Sequence, residues 1–417
     1  MNKINIYFIN KTINKKPLYV DIRDNDIKIK IYYKDLDNYT LFNEINKLSN
    51  IFNMYTVTKV NLIFDKSDNN MDIKILAKVH DILFSYNNSK IKLHNTNNNS
   101  KNYITELDRY KNIVMDPNKN PNTYKIHIIK NIPNNYKYMI KNTNEKFFPL
   151  SHSVAAGSNY DSYFVHIFPK NIDKNNTNIY IVGKSVVYDS GGMNLKGSMM
   201  YEMKIDMIGG AMAMAVLRLL EKNKMDTKVN VNILLPVVEN MISSKATRPG
   251  QVITSMSGKT VEILNTDAEG RLCMADCLDY INLKLINKKQ KNIIIDIATL
   301  TGAASYISDG IASIAMSNMS GIEHMNNMID IGEEIGEYLD TVKIRKEYMD
   351  RLKSNVANIK NIDYNTKSGT VLAGKFLDYF VPNDVPWIHI DVASTTYKHN
   401  TTMSHGVNLL YQFISKL

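Results

Sequence analysis

NIYIVGKSVVYDSGG (178–192), then MIGGAMAMAVLRLLEKN (207–223) and VNVNILLPVVEN (229–240), carry the pattern that decides the fold. The first and third open on near-continuous apolar runs rather than alternating ones, which is the composition of strands buried on both faces. The second is long, rich in Ala, Met and Leu, and free of proline, as an α-helix requires. The alternation continues through a helix expected after Glu269, the strand IIIDIATL (293–300), the helical VLAGKFLDYFV (371–381) and the strand WIHIDVA (387–393). The class is therefore α/β: a central mixed, mostly parallel sheet flanked by helices on both faces. In such sheets chemistry gathers in loops beyond the strand ends.

Upstream, IKIKIYY (27–33), VNLIF (60–64) and KIKL (90–93) alternate with helical text such as LFNEINKLSNIF (41–52), which reads as a small N-terminal α/β domain. NTNNNSKN (95–102) and DPNKNPNT (116–123) have linker composition. The expected division is residues 1–100 for the small domain and 101–417 for the larger one, with 101–145 a linker helix and a divergent lead-in.

The chain has 417 residues, 44% of them hydrophobic, and can bury at least one large core. Its net charge of +10 comes from Lys spread along the whole sequence among Asn, Ile and Tyr. No stripe of Lys and Arg interleaved with aromatics appears, so a solvated basic surface is expected and a nucleic-acid partner is not. Cys273 and Cys277, spaced i,i+4 on the expected helix, read as reduced core residues. The opening MNKINIYFINKTINKK is too interrupted for a signal peptide, and no run approaches the 18 or so apolar residues of a membrane span. A soluble cytoplasmic protein with no membrane partner is expected.

Three segments place charges in apolar surroundings: VGKSVVYDSGGMNLK (182–196), MKIDM (203–207) and NTDAEGR (265–271). A buried charge is costly unless it is paired or bound to metal. Lys184, Asp189, Asp206, Asp267 and Glu269 therefore need partners, and one another plus cations would supply them. Four carboxylates brought together repel, and divalent ions are the usual means of keeping them charged. Two ions about 3.5–4 Å apart can activate a water and polarise a carbonyl, which is hydrolase chemistry. Taken singly, each Asp could equally be a helix cap or a loop salt bridge.

NTDAEGRL (265–272) resembles the signature of the leucyl aminopeptidases, the M17 metallopeptidases. VGKSVVYDSGG, MKIDMIGGAMA (203–213), the stretch from PVVENM (236–241) through SGKTVEILNTDAEGRL (257–272) and DIATLTGA (296–303) follow in that family's order, so the resemblance spans roughly residues 145–417. It implies a metal-dependent aminopeptidase acting on peptides with a free N-terminus, probed by a Leu-like side chain. Lys184 and Asp206 would complete the tighter metal site, Asp189 and Glu269 would bridge both ions, and Asp267 would bind the more exchangeable one. The two ions per subunit would be Zn or Mn, with Co or Mg also accepted by carboxylates. Lysine ligation needs a neutral amine, which neighbouring cations favour. By the same resemblance Lys196 stabilises the oxyanion, and Arg271, with backbone from Gly270 and Leu272, holds a bicarbonate that serves as general base. Met203, Thr299, Leu300, Gly302 and Ala393 would form the side-chain pocket, and the family's hexamer is expected.

Some positions depart from the pattern. Ser394 stands where glycine is usual, Thr396 falls where relatives carry an apolar pocket residue, and residues 95–178 are compressed. No H-E-x-x-H or G-x-S-x-G occurs, the nine histidines are scattered with His389 and His405 read as structural, and DSGG lacks Walker spacing. The rival readings are a catalytically inactive scaffold or DNA-associated family member and a dinuclear phosphoesterase. Retention of Lys184, Asp189, Lys196, Asp206, Asp267, Glu269 and Arg271 argues against the first, and the lack of histidine ligands against the second.

Overall fold

The computed structural model describes residues 2–9, 18–23, 26–33, 38–54, 57–64, 69–85, 90–94, 97–225, 228–382, 384–398 and 400–417. Near the N-terminus, β1 (Asn2–Ile9), β2 (Leu18–Arg23), β3 (Asp26–Tyr32), β4 (Val57–Phe64) and β5 (Lys90–His94) form a sheet in the order β2-β3-β1-β4-β5. Only the β2–β3 pair is antiparallel. Ile27, Ile29 and Ile31 are buried while Lys28 is exposed, the period of two that IKIKIYY announces. LFNEINKLSNIF forms two helices, Asn38–Asn46 and Leu48–Met54, rather than one.

The expected linker stretches run into helices: residues 98–102 and 121–123 are helical, and 116–120 form the turn between the two helices. Asn95 and Thr96 lie outside the described residues, but Asn97 caps the helix Asn98–Met115 by accepting the Ser100 N–H. Asn120 caps Pro121–Lys130 in a reciprocal box with Thr123. Asn and Pro crowd these stretches because they start helices, a use that composition does not separate from a linker. Helix Asn98–Met115 packs on both Asn69–Ser85 and Ile208–Lys222, so it joins the first sheet to the second.

The larger sheet comprises β6 (Tyr136–Asn142), β7 (Tyr163–Pro169), β8 (Thr177–Gly183), β9 (Ser185–Asp189), β10 (Val229–Asn240), β11 (Asn292–Ala298), β12 (Ser313–Ser317), β13 (Leu339–Thr341) and β14 (Trp387–Asp391). Their order is β13-β12-β14-β11-β8-β10-β7-β6, with β9 continuing along β10 beyond β8. β14, β11, β8 and β10 are mutually parallel, and antiparallel strands occupy the flanks, as the mixed, mostly parallel class requires. Ile179, Ile181, Ile233 and Ile295 pack with helix Ile208–Lys222, whereas Tyr180, Val182, Leu234 and Ile294 pack with helices Gly270–Tyr280 and Gly369–Asp378. Both faces are covered, and each such side chain contributes about 1.5–3 kcal/mol by leaving water.

Register is set in part by a polar rung. Asn178, Asn230 and Asn292 begin adjacent strands, with the Asn230 amide donating to Asn178 at 3.0 Å and Asn178 to Asn292 at 3.2 Å. A slip by one residue would bury these amides without partners. The carboxyl ends of the same strands therefore align and carry the loops of the candidate site. Among the described residues no helix is long and apolar enough to cross a membrane.

Candidate metal centre

Lys184 occupies the break between β8 and β9. Its N–H donates to the Ile297 carbonyl and its carbonyl accepts from Gly210, tying it to β11 and to the first turn of helix Ile208–Lys222. That turn approaches so closely that a Cβ on Gly209 would lie 2.0 Å from the Ile297 carbonyl oxygen. The buried Lys184 side chain brings its Nζ 2.7 Å from Asp206 Oδ1, 2.8 Å from Glu269 Oε1 and 3.0 Å from the Thr299 carbonyl. Asp206 caps the 3₁₀ helix Ser198–Ile205, and the Thr299 hydroxyl donates to its Oδ1 at 2.8 Å.

Asp189 ends β9, and its Oδ1 accepts from Gly191 N–H at 2.8 Å and from Asn240 Nδ2 at 2.7 Å. Gly191 and Gly192 both take left-handed backbone, with φ of 86° and 60°, so DSGG turns back sharply beneath its own aspartate. Lys196 Nζ then reaches Asp189 Oδ2 at 2.8 Å and Asp267 Oδ1 at 2.5 Å. The 265–271 loop is fastened to this turn by Thr266, whose hydroxyl donates to the Gly191 carbonyl at 2.6 Å. Asn361 braces it from the other side, accepting from Leu264 and Asn265 N–H and donating to the Asn265 carbonyl.

All seven charged residues expected from the sequence lie in or beside this region. One carboxylate oxygen each from Asp189, Asp267 and Glu269 falls within a 4.8 Å span, and Asp206 joins them through Lys184. Four carboxylates face two ammonium groups, leaving two negative charges in excess in a largely buried cluster. Burial and the Glu269 charge push Asp189 up to about 7 despite Lys196 and Lys184. Burial likewise raises Asp206 and Asp267 against their lysines, whereas at Glu269 the two lysine charges outweigh burial and hold it below its usual range. For Lys184 and Lys196 burial opposes the charge, but the surrounding carboxylates win and raise both. Asp206 Oδ2 and Glu269 Oε2 are buried with no hydrogen-bond partner among the described residues. Oxygen donors in excess of the local cations, two of them unsatisfied, fit hard or borderline divalent ions.

Arg271 lies in the first turn of helix Gly270–Tyr280, is buried, and donates through Nη1 to the Asn361 carbonyl at 2.7 Å, while its Nε has no partner among the described residues. Burial pulls it down to about 10, against the charges of Glu269 and Asp391. No ion pair joins Arg271 to Glu269 among the described residues. Gly270 serves Lys184: an added Cβ would stand 2.4 Å from its Cε. Leu272 follows in the same helix and belongs to the apolar core, as do Cys273 and Cys277, both free thiols.

Thr299, Leu300 and Gly302 follow β11, and Ala393 follows β14. The Asp391 carboxylate accepts from Leu300 and Ala393 N–H at 3.1 and 3.2 Å, joining the two loops. Met203 is half-buried in the 3₁₀ helix that carries Asp206, and Gly302 is exposed. His389 pairs with Asp296 inside the sheet, and His405 is half-buried near the Tyr338 carbonyl, so neither joins the Asp189, Asp206, Asp267 and Glu269 cluster. Sequence reasoning missed Asn240, Thr266 and Asn361. Asn240 had one signal, a polar residue closing a 12-residue apolar strand; Asn361, 90 residues from Arg271, had none.

The sequence pattern of the cytosol aminopeptidase family, catalytic domain, matches residues 113–410. A probable cytosol aminopeptidase of Vesicomyosocius okutanii is 41% identical over 241 residues, covering 57% of this chain and 48% of the relative. One from Protochlamydia amoebophila is 37% identical over 275 residues, covering 64% and 53%. The chain thus spans about half the length of the curated relatives it matches. Among solved structures, the bottromycin maturation enzyme BotP in complex with Mn superposes with a TM-score of 0.81 at 19% identity, covering 100% of this chain and 99% of that one, a likeness of fold.

Proposed function

The chain belongs to the cytosol aminopeptidase family, and on that premise we propose that it is a metal-dependent aminopeptidase releasing Leu-like residues from peptides with a free N-terminus. The observation that carries this reading is the cluster of Asp189, Asp206, Asp267 and Glu269, with two excess negative charges and two unsatisfied carboxylate oxygens beside Lys184 and Lys196. Those four acids and a neutral Lys184 amine would hold two divalent ions, Mn or Zn. The Mn held by the structural neighbour supports the former. Bound ions would supply Lewis-acid activation of a water and of the scissile carbonyl.

The chain's own residues do the rest. Lys196, held at the less buried edge of the cluster by Asp189 and Asp267, offers an ammonium to the oxygen that becomes negative during attack. Arg271, its guanidinium oriented by the Asn361 carbonyl, would hold bicarbonate with backbone from Gly270 and Leu272, and a bicarbonate held there would supply a general base. Asp391 fixes the Leu300 and Ala393 backbones, and the loops bearing Thr299, Leu300, Gly302 and Ala393 would line the pocket for the substrate side chain together with Met203. A cytoplasmic homohexamer, with residues 1–100 as a separate small domain, completes the reading.

The test is hydrolysis of leucine amide against N-acetyl-leucine amide by the Mn- or Zn-loaded protein and after chelation. Metal-dependent cleavage of the free amine alone is expected. Equal cleavage of the blocked substrate would remove the exopeptidase reading.

A further inference from the structure

Ala393 and Thr396 sit on a loop whose far end is held by helices from the first quarter of the chain. β14 ends at Asp391, and residues 392–406 lead from it to helix Val407–Ser415. The Val392 carbonyl accepts from the Thr396 N–H at 3.2 Å and from the Thr396 hydroxyl at 2.7 Å, closing one turn around Ala393. The Thr396 carbonyl in turn accepts from the Met403 N–H at 2.8 Å, and the Thr402 hydroxyl lies 3.2 Å from the same oxygen. Between them stands a hairpin of two residues a side, Tyr397–Lys398 against Thr401–Thr402. A two-stranded hairpin is marginal by itself, so its position depends on what it leans against.

That support comes from far upstream. The buried Tyr110, on helix Asn98–Met115, donates its hydroxyl to the Met403 carbonyl at 3.0 Å and holds it 3.2 Å from the Thr402 hydroxyl. Asp81 Oδ1, on helix Asn69–Ser85, accepts the Ser404 N–H at 3.0 Å and lies 2.6 Å from Lys111 Nζ. Lys111 has 0% of its side chain exposed. A buried ion pair adds little net stability, because desolvation offsets the attraction and apolar residues of similar volume would pack as well. What it supplies is direction: the oxygen that faces Lys111 is the one that faces the Ser404 amide. Helix Asn98–Met115 also packs on the 3₁₀ helix Ser198–Ile205, which carries Met203. One helix therefore braces two of the segments expected to line the side-chain pocket.

We propose, on the aminopeptidase reading in which Ala393 lines that pocket, that Tyr110 and the Asp81–Lys111 pair are positioning residues that set the place of Ala393 and Thr396 and with it the selectivity for a large substrate side chain. The route runs from Tyr110 to Met403, from Met403 to Thr396 and from Thr396 to Val392, each link a hydrogen bond. Released at Met403, the wall loses its fixed place. A Leu-like side chain, which needs the wall, then binds less tightly, whereas the methyl group of alanine is too short to depend on it.

The whole chain, loaded with Mn, would be compared as wild type, Tyr110→Phe and Thr402→Val, with Tyr180→Phe as the control. Tyr180 makes the same kind of bond, donating to the Leu285 carbonyl at 3.0 Å, but packs in the core on the opposite face of the large sheet. In Tyr110→Phe and Thr402→Val the KM for leucine amide should rise about threefold to tenfold, the worth of one hydrogen bond, with kcat and the KM for alanine amide within about twofold of wild type. Hydrogen exchange across residues 393–406, measured without substrate, should quicken by a similar factor in both variants and stay unchanged in Tyr180→Phe. An unchanged KM for leucine amide overturns the proposal, and so does a rise shared by both amides or reproduced in Tyr180→Phe, which would mean a general loss of stability. If the loaded wild type hydrolyses neither amide, the aminopeptidase reading fails by itself, and exchange decides whether Tyr110 positions the loop: quickened exchange upholds that role and unchanged exchange removes it.

Discussion

Replacing Gly270 by alanine would drive a methyl group into the side chain of Lys184. The added Cβ would lie 2.4 Å from Lys184 Cε and 2.7 Å from Nζ, where ordinary contact begins near 3.4 Å, so Cε must retreat by 3.4 − 2.4, about 1 Å. The retreat is not free, because Nζ is fixed by Asp206, Glu269 and the Thr299 carbonyl at 2.7, 2.8 and 3.0 Å. Overpacking of this kind costs about 1–3 kcal/mol, and each charge-assisted bond that is lost adds about 1.5–3 kcal/mol. A misplacement of about 1 Å in a catalytic constellation slows turnover by about 100-fold. Gly369→Ala is the matched control: Gly369 also opens a helix, but its Cβ would meet only Ala303 Cβ at 3.5 Å. Melting temperature, bound metal and leucine-amide turnover would be measured for both variants. Gly270→Ala should lose stability, metal and activity, while Gly369→Ala should match the wild type or gain up to about 1 kcal/mol. Wild-type metal content and turnover in Gly270→Ala would refute the reasoning.

Lys196→Ala should lower kcat about 100- to 1000-fold with metal content unchanged; near-normal turnover would remove its oxyanion role. Asp267→Asn should reduce bound metal by about one ion per subunit, and full occupancy with full activity would mean that Asp267 is no ligand. Glu337 is buried at the start of helix Val407–Ser415, where its Oε2 accepts from Gly406 and Leu409 N–H, and burial lifts it to about 8. A carboxyl raised in the folded state contributes stability that is complete below its unfolded value near 4.5 and lost as pH rises through about 8. Glu337→Gln should therefore flatten the fall in melting temperature between pH 6 and pH 9, and parallel curves would contradict the assignment.

The sequence made the central sheet visible because strands buried on both faces must be apolar throughout, and NIYIVG and VNVNILLPVVEN contain little else. It made the four carboxylates visible for the complementary reason, since acids embedded in such text need a counter-charge. Strand order was not legible, because parallel neighbours such as β8 and β11 lie more than a hundred residues apart and share no local signal. The asparagine-rich stretches were legible only in part: residues 116–120 are a turn, but helix caps and linkers draw on the same residues, and the partner of the Asn97 side chain is what marks 98–102 as a helix start. Gly270 also has a role that the sequence does not show: its missing Cβ leaves room for the Lys184 stem, a steric fact that exists only once the two segments meet. The same holds for Tyr110, whose hydroxyl meets the Met403 carbonyl 293 residues further along the chain.

Titrating the metal-stripped protein with Mn while counting bound ions and following leucine-amide hydrolysis in the same samples tests the central claim most directly. Hydrolysis absent at the start and reaching its plateau as the second ion per subunit binds is the predicted result. Hydrolysis that persists after stripping, or two bound ions per subunit with none, would contradict it.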